Sequence, residues 1–78
     1  MNLTPREAQV VELIGSGQTY KAASAEMGCS PRTVREHVTN AAKKLRSEVY
    51  APNGMRFAPR TVVRLHYLES LREAGGIG

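Results

Sequence analysis

The stretch from Cys29 to Arg46, CSPRTVREHVTNAAKKLR, constrains the fold more than any other part of the chain. At about 100° per residue, Val34, Val38, Ala41, Ala42 and Leu45 share one stripe of a helix. Arg32, Glu36, Thr39, Asn40 and Lys43 lie opposite them, Arg35 and Arg46 flank one side, and Thr33, His37 and Lys44 flank the other. Ser30 supplies an N-cap, and Pro31 suits the first helical position, where its missing N–H costs nothing. The inner side is narrow and alanine-rich. The outer side mixes donors and acceptors of several kinds, more than a merely solvated face requires.

Three further helices are expected around this one. Thr4-Pro5-Arg6-Glu7 reads as a capping box that opens a helix over 5–15, with Val10, Val11, Leu13 and Ile14 on its buried face. Gly15-Ser16-Gly17 ends it. Thr19 caps a short helix over 20–27, which Gly28 stops; its run of Ala22, Ala23, Ser24 and Ala25 favours helix and permits close approach of a neighbour. A last helix spans 60–74, where Val63, Leu65, Tyr67, Leu68, Leu71 and Ala74 cover a wider arc than one core calls for. Such a helix suits either the core of a very small protein or two faces, one toward the core and one toward a second subunit. Residues 47–59, SEVYAPNGMRFAP, break the helical pattern. Pro52-Asn53-Gly54 marks a turn, so a short hairpin or an ordered loop fits this segment. We expect it to pack Tyr50 and Phe57 against the helices, with Arg56 pointing outward.

The chain has 78 residues, enough for one small core. One cysteine allows no internal disulfide, and nothing at the N-terminus resembles a signal peptide. No run approaches the roughly 20 apolar residues of a membrane span. A cytoplasmic, membrane-free setting is therefore expected. The net charge of +4 is unevenly spread: residues 29–64 carry eight basic side chains against two acids. A block of that kind is the footprint of a polyanion partner. Catalysis is not expected, because aspartate is absent and His37 and His66 stand without partners for a triad or metal site. No catalytic, metal or cofactor residue is assigned, and Cys29, just before a helix, suits packing better than reactivity.

Two helices joined at Met27-Gly28-Cys29-Ser30, the second basic and polar outside, read as a helix–turn–helix. The major groove, about 12 Å wide, admits one α-helix. Residues 3–45, LTPREAQVVELIGSGQTYKAASAEMGCSPRTVREHVTNAAKKL, closely resemble the DNA-binding domain of the LuxR family, also called GerE-type, whose pattern is LTxRExxVLxLxAxGxSNKEIAxxLxISxxTVKxHxxxIxxKL. Leu3, Thr4, Arg6, Glu7, Val10, Leu13, Gly17, Lys21, Ser30, Thr33, Val34, His37, Lys44 and Leu45 match in register without a gap.

The resemblance implies an all-α, four-helix helix–turn–helix domain whose third helix enters the major groove of double-stranded DNA and whose fourth pairs subunits. Arg35 and Thr39 fall at the family's main base-reading positions, with Glu36 between them; Thr19, Tyr20 and Lys21 fall where the scaffold helix meets phosphates. With the outer-face residues Arg32, Thr33, Asn40, Lys43 and Lys44 these form the expected DNA-binding set. Arg64, Tyr67, Leu68 and Leu71 form the expected interface of a homodimer.

The chain also departs from the pattern. Ala23-Ser24 replaces a larger Ile-Ala pair, Ala41 stands at a usually bulky site, and the connection before helix four is longer. Core volume is then expected from Phe57 or Tyr50. With Leu3 this near the start of the sequence, the chain is expected to resemble stand-alone members, without a sensor or receiver domain. The function expected is a sequence-specific, dimeric transcription regulator. Two alternatives stay open: a module like the fourth region of a sigma factor, with RNA polymerase as partner, and a helix–turn–helix scaffold that binds another regulator and never touches DNA. Glu36, an acid amid the outer face, raises the second.

Overall fold

A computed structural model of the chain describes residues 3–46 and 57–75, which form four α-helices: α1 (Pro5–Gly15), α2 (Tyr20–Met27), α3 (Pro31–Leu45) and α4 (Pro59–Gly75). No strand occurs among the described residues. The expected boundaries agree with these to within one residue at each end. The proposed hairpin, with Tyr50, Asn53-Gly54 and Arg56, lies outside the described residues.

Local chemistry explains the helix starts. The Thr4 hydroxyl accepts from the Glu7 amide at 3.1 Å, and Glu7 Oε1 accepts from the Thr4 amide at 2.9 Å, completing the capping box. Thr19 accepts from the Ala22 amide at 3.0 Å and Ser30 from the Thr33 amide at 3.2 Å. Each satisfies a backbone donor that has no partner inside its helix. The stops follow from glycine. Gly17, at φ +107°, turns the chain out of α1, so that the Gln18 amide returns to the Leu13 carbonyl at 3.1 Å. Gly28, left-handed at φ 70°, does the same for α2 and sets the tight step into α3. Two arginines satisfy carbonyls at these ends: Arg6 donates to Met27 O at 3.0 Å and Arg64 to Gly15 O at 3.2 Å.

The core is one cluster shared by all four helices. Val34, Val38, Ala41, Ala42 and Leu45 of α3 are all fully buried, as their stripe requires. They meet Val10, Val11 and Ile14 of α1, Ala23 and Met27 of α2, and Val62 and Val63 of α4. Leu3, Leu13, Tyr20, Cys29 and Phe57 are partly buried and pack against this cluster. The Phe57 carbonyl also accepts from Arg46 Nη1 at 2.8 Å, tying the end of α3 to the lead-in of α4. Packing sets α3 at the centre, with one face wholly consumed and the other facing outward.

Helix α4 serves two faces. Val62 and Val63 enter the core, while Leu65, Leu68 and Leu71 stand 37%, 45% and 51% exposed. Tyr67 is half-buried on Gly15: a Cβ at that glycine would overlap the Tyr67 Cβ and Cγ. Of the four residues expected at a subunit interface, Arg64 and Tyr67 thus contact α1 of their own chain, and Leu68 and Leu71 remain as exposed apolar groups. No helix among the described residues is long and apolar enough to cross a membrane.

Candidate nucleic-acid interface

The caps and the buried stripe together determine what α3 presents. Because Val34, Val38, Ala41 and Leu45 point inward, Arg32, Arg35, Glu36, Asn40 and Lys43 are exposed and Thr39 is half-exposed beside them. The face carries guanidinium, carboxylate, carboxamide, hydroxyl and ammonium groups within four turns. Base edges in the major groove present acceptors, donors and methyl groups, which this mixture complements. Thr33 is half-buried, and its hydroxyl lies 3.0 Å from that of Ser30, so it belongs partly to the cap.

The start of α2 lies beside the start of α3. Thr19 and Lys21 are exposed, and Tyr20 is half-buried between them. Tyr20, Pro31, Arg32 and Arg35 line a surface cleft of about 340 Å³. The Arg35 guanidinium carbon lies 5.8 Å from the centre of the Tyr20 ring, within cation–π range. The Arg60 guanidinium carbon lies 5.6 Å from the same centre. Arg60 was not among the expected site residues. A local signal existed: Pro-Arg-Thr-Val opens both α3 (31–34) and α4 (59–62).

Lys44 differs from Lys43. Its Nζ lies 2.6 Å from Glu7 Oε1, the same oxygen that closes the α1 capping box. Glu7 is buried, and the Lys44 hydrogen bond followed by the Thr4 amide holds its carboxyl below the ordinary value, against the opposing effect of burial. Lys44 is therefore engaged across the domain, whereas Lys43 stands exposed on the outer face. Glu36 makes no ion pair with Arg32 among the described residues, so its carboxylate is presented outward.

Residues 1–49 match the family model described as "Bacterial regulatory proteins, luxR family". The transcriptional activator protein CarR of Pectobacterium carotovorum subsp. carotovorum is 46% identical over 43 residues, 55% of this chain and 18% of that protein. The transcriptional regulatory protein UhpA of Escherichia coli K12 is 46% identical over 43 residues, covering 22% of its own length. The spore germination protein GerE of Bacillus subtilis 168 is 44% identical over 43 residues, 58% of its length. The matched stretch thus spans less than two thirds of each of these relatives, and under a quarter of CarR and UhpA. No solved structure matches the chain.

Proposed function

The chain belongs to the luxR family of bacterial regulatory proteins, and from that premise we propose that it is a sequence-specific double-stranded DNA-binding transcription regulator that works as a dimer. The observation that carries this reading is the outer face of α3. Five exposed side chains of four chemical kinds stand on a helix whose opposite face is fully buried. A helix held so rigidly can offer the same groups to a groove each time, which is what base discrimination needs. Arg35 and Thr39 are the base readers in this proposal, with Glu36 and Asn40 alongside. Arg32 and Lys43 belong at its edges, and Thr19 and Lys21 on the adjoining phosphates.

The positive block supports affinity, because each neutralised phosphate releases counterions. The exposed leucines of α4 support pairing, and pairing would double the few base contacts one small domain can make. Selection of bound sites from random duplex DNA tests the proposal. The expected result is a two-fold symmetric site with half-sites about 34 Å apart, or one helical turn. Failure to enrich any site, with binding that does not weaken with salt, would favour the protein-interaction reading instead.

A further inference from the structure

Three helix N-termini converge on one aromatic ring. Tyr20 is the first residue of α2, Arg32 the second of α3 and Arg60 the second of α4. The starts of α3 and α4 are built alike. Each begins Pro-Arg-Thr-Val, each valine is buried (Val34 and Val62), and each arginine is exposed. Each first turn closes with the valine amide on the carbonyl four residues back, Ser30 O at 3.1 Å and Ala58 O at 3.0 Å. Arg60 is thus displayed from α4 as Arg32 is from α3, although only α3 carries the groove-reading pattern.

The ring itself is anchored. Tyr20 is half-buried and packs against the core cluster, so the helices support it from one side. The Arg35 and Arg60 guanidinium carbons lie 5.8 and 5.6 Å from its centre, so one ring gathers both charges. Arg32 lines the same cleft. None of these three arginines makes an ion pair among the described residues. Like charges and the positive ends of helices repel when gathered this way, and an anion placed among them relieves the repulsion. The LuxR pattern has asparagine at the position of Tyr20, so the platform is a property of this chain.

We propose that Tyr20 is a positioning residue which joins Arg35 of α3, a base reader, to Arg60 of α4, a phosphate contact, so that α4 adds a DNA-backbone contact through Arg60. This rests on the DNA-binding reading above. Stacking on a supported ring narrows the rotamers of two long side chains before DNA arrives, so less freedom is lost on binding. Arg35 is held near the groove mouth, where it reaches a base edge, and Arg60 grips the adjoining phosphate.

The test uses the full chain and its selected duplex. Arg60→Ala should weaken binding evenly across sequences and reduce the salt slope by about one unit. Tyr20→Ala should weaken specific binding about five- to thirtyfold, and Tyr20→Phe, which keeps the ring, should restore most of it. Base preference at the position read by Arg35 should relax in Tyr20→Ala and hold in Tyr20→Phe. Arg60→Ala should also matter less in a Tyr20→Ala background than in the parent chain. An unchanged salt slope for Arg60→Ala, or full additivity of the two substitutions, overturns the proposal while leaving DNA binding by α3 intact. Absence of any duplex binding by the unsubstituted chain overturns both. Arg60→Ala lies on an exposed first turn, so its result stands even where Tyr20→Ala fails to fold.

Discussion

Lys44 Nζ lies 2.6 Å from Glu7 Oε1, and this contact joins the first turn of α1 to the last turn of α3. It separates two lysines that are neighbours in sequence. Lys43→Ala should leave stability nearly unchanged and lower the salt slope of DNA binding by about one unit. Lys44→Ala should lower stability by about 1 kcal/mol, since its exposed ammonium is partly screened but its removal leaves the buried Glu7 carboxylate short of a partner. Urea unfolding and salt titrations of both variants check this. An unchanged unfolding midpoint for Lys44→Ala would show that the contact contributes nothing.

The same carboxylate predicts an acid limb in stability. The Glu7 pKa is lowered from its ordinary 4.5, first by the Lys44 hydrogen bond and then by the Thr4 amide. A group with a lower pKa folded than unfolded stabilises above the unfolded pKa, and that stabilisation is lost as pH falls through the folded value. Stability should therefore be level above 4.5 on this account and decline below it. Glu7→Gln should be less stable at neutral pH and should show a shallower decline in acid. Parallel acid limbs for the two chains in urea unfolding would assign the decline to other groups.

Gly15 and Tyr67 form a second committed pair. In a helix, alanine ordinarily improves on glycine by about 0.5–1 kcal/mol. At Gly15 an added Cβ would overlap the Tyr67 Cβ and Cγ, and the former is tied to its own backbone, so side-chain rotation gives no escape. Overpacking of this kind costs about 1–3 kcal/mol, which outweighs the propensity gain. Gly15→Ala should lower the unfolding midpoint, and only in a Tyr67→Gly background, which removes the Cβ as well as the ring, should the same change raise it. A higher midpoint in the parent chain would mean that α1 and α4 yield easily at their contact.

These pairs mark where sequence reasoning stops. Thr4, Thr19 and Ser30, with Pro5 and Pro31 behind two of them, are local signals, and the helix starts followed from them. The stripe through Val34 and Leu45 is periodic, so the outer face of α3 was legible as well. Glu7 and Lys44 are far apart along the chain and meet only through tertiary packing. The apolar arc of α4 is so wide that its pattern names no inner side, so the contacts of Tyr67 and Arg64 with Gly15 do not show in it. Arg60 lies outside the periodic block and gains meaning only when α2 and α4 bring it to Tyr20.

Glu36 is exposed on the outer face and makes no ion pair with Arg32 among the described residues. A carboxylate there accepts from a cytosine amine or repels phosphate. If it reads a base, Glu36→Gln should change the preferred base at one position of each half-site, since the carboxamide offers a donor as well as an acceptor. Selection from random duplexes with both chains checks this. A uniform gain of affinity with an unaltered consensus would assign Glu36 to repulsion alone.

Leu68 and Leu71 are 45% and 51% exposed, and Leu65 is 37% exposed. Their spacing of three places them along one side of α4, while Val62 and Val63 hold the other side in the core. An apolar row that the protomer leaves half in water gains about 25 cal/mol for each Å² of apolar surface that a partner covers. Leu68→Glu and Leu71→Glu should therefore abolish association and leave the helical signal and unfolding midpoint nearly intact. On DNA, the folded monomer should still bind a half-site but lose the advantage of the paired site, because the second contact is no longer linked to the first. Sedimentation equilibrium, circular dichroism and binding to single and paired half-sites measure the three quantities. Loss of helical signal would return these leucines to the core of the protomer. An unsubstituted chain that sediments as a monomer, and binds paired sites no better than single ones, would leave the row without a role in pairing.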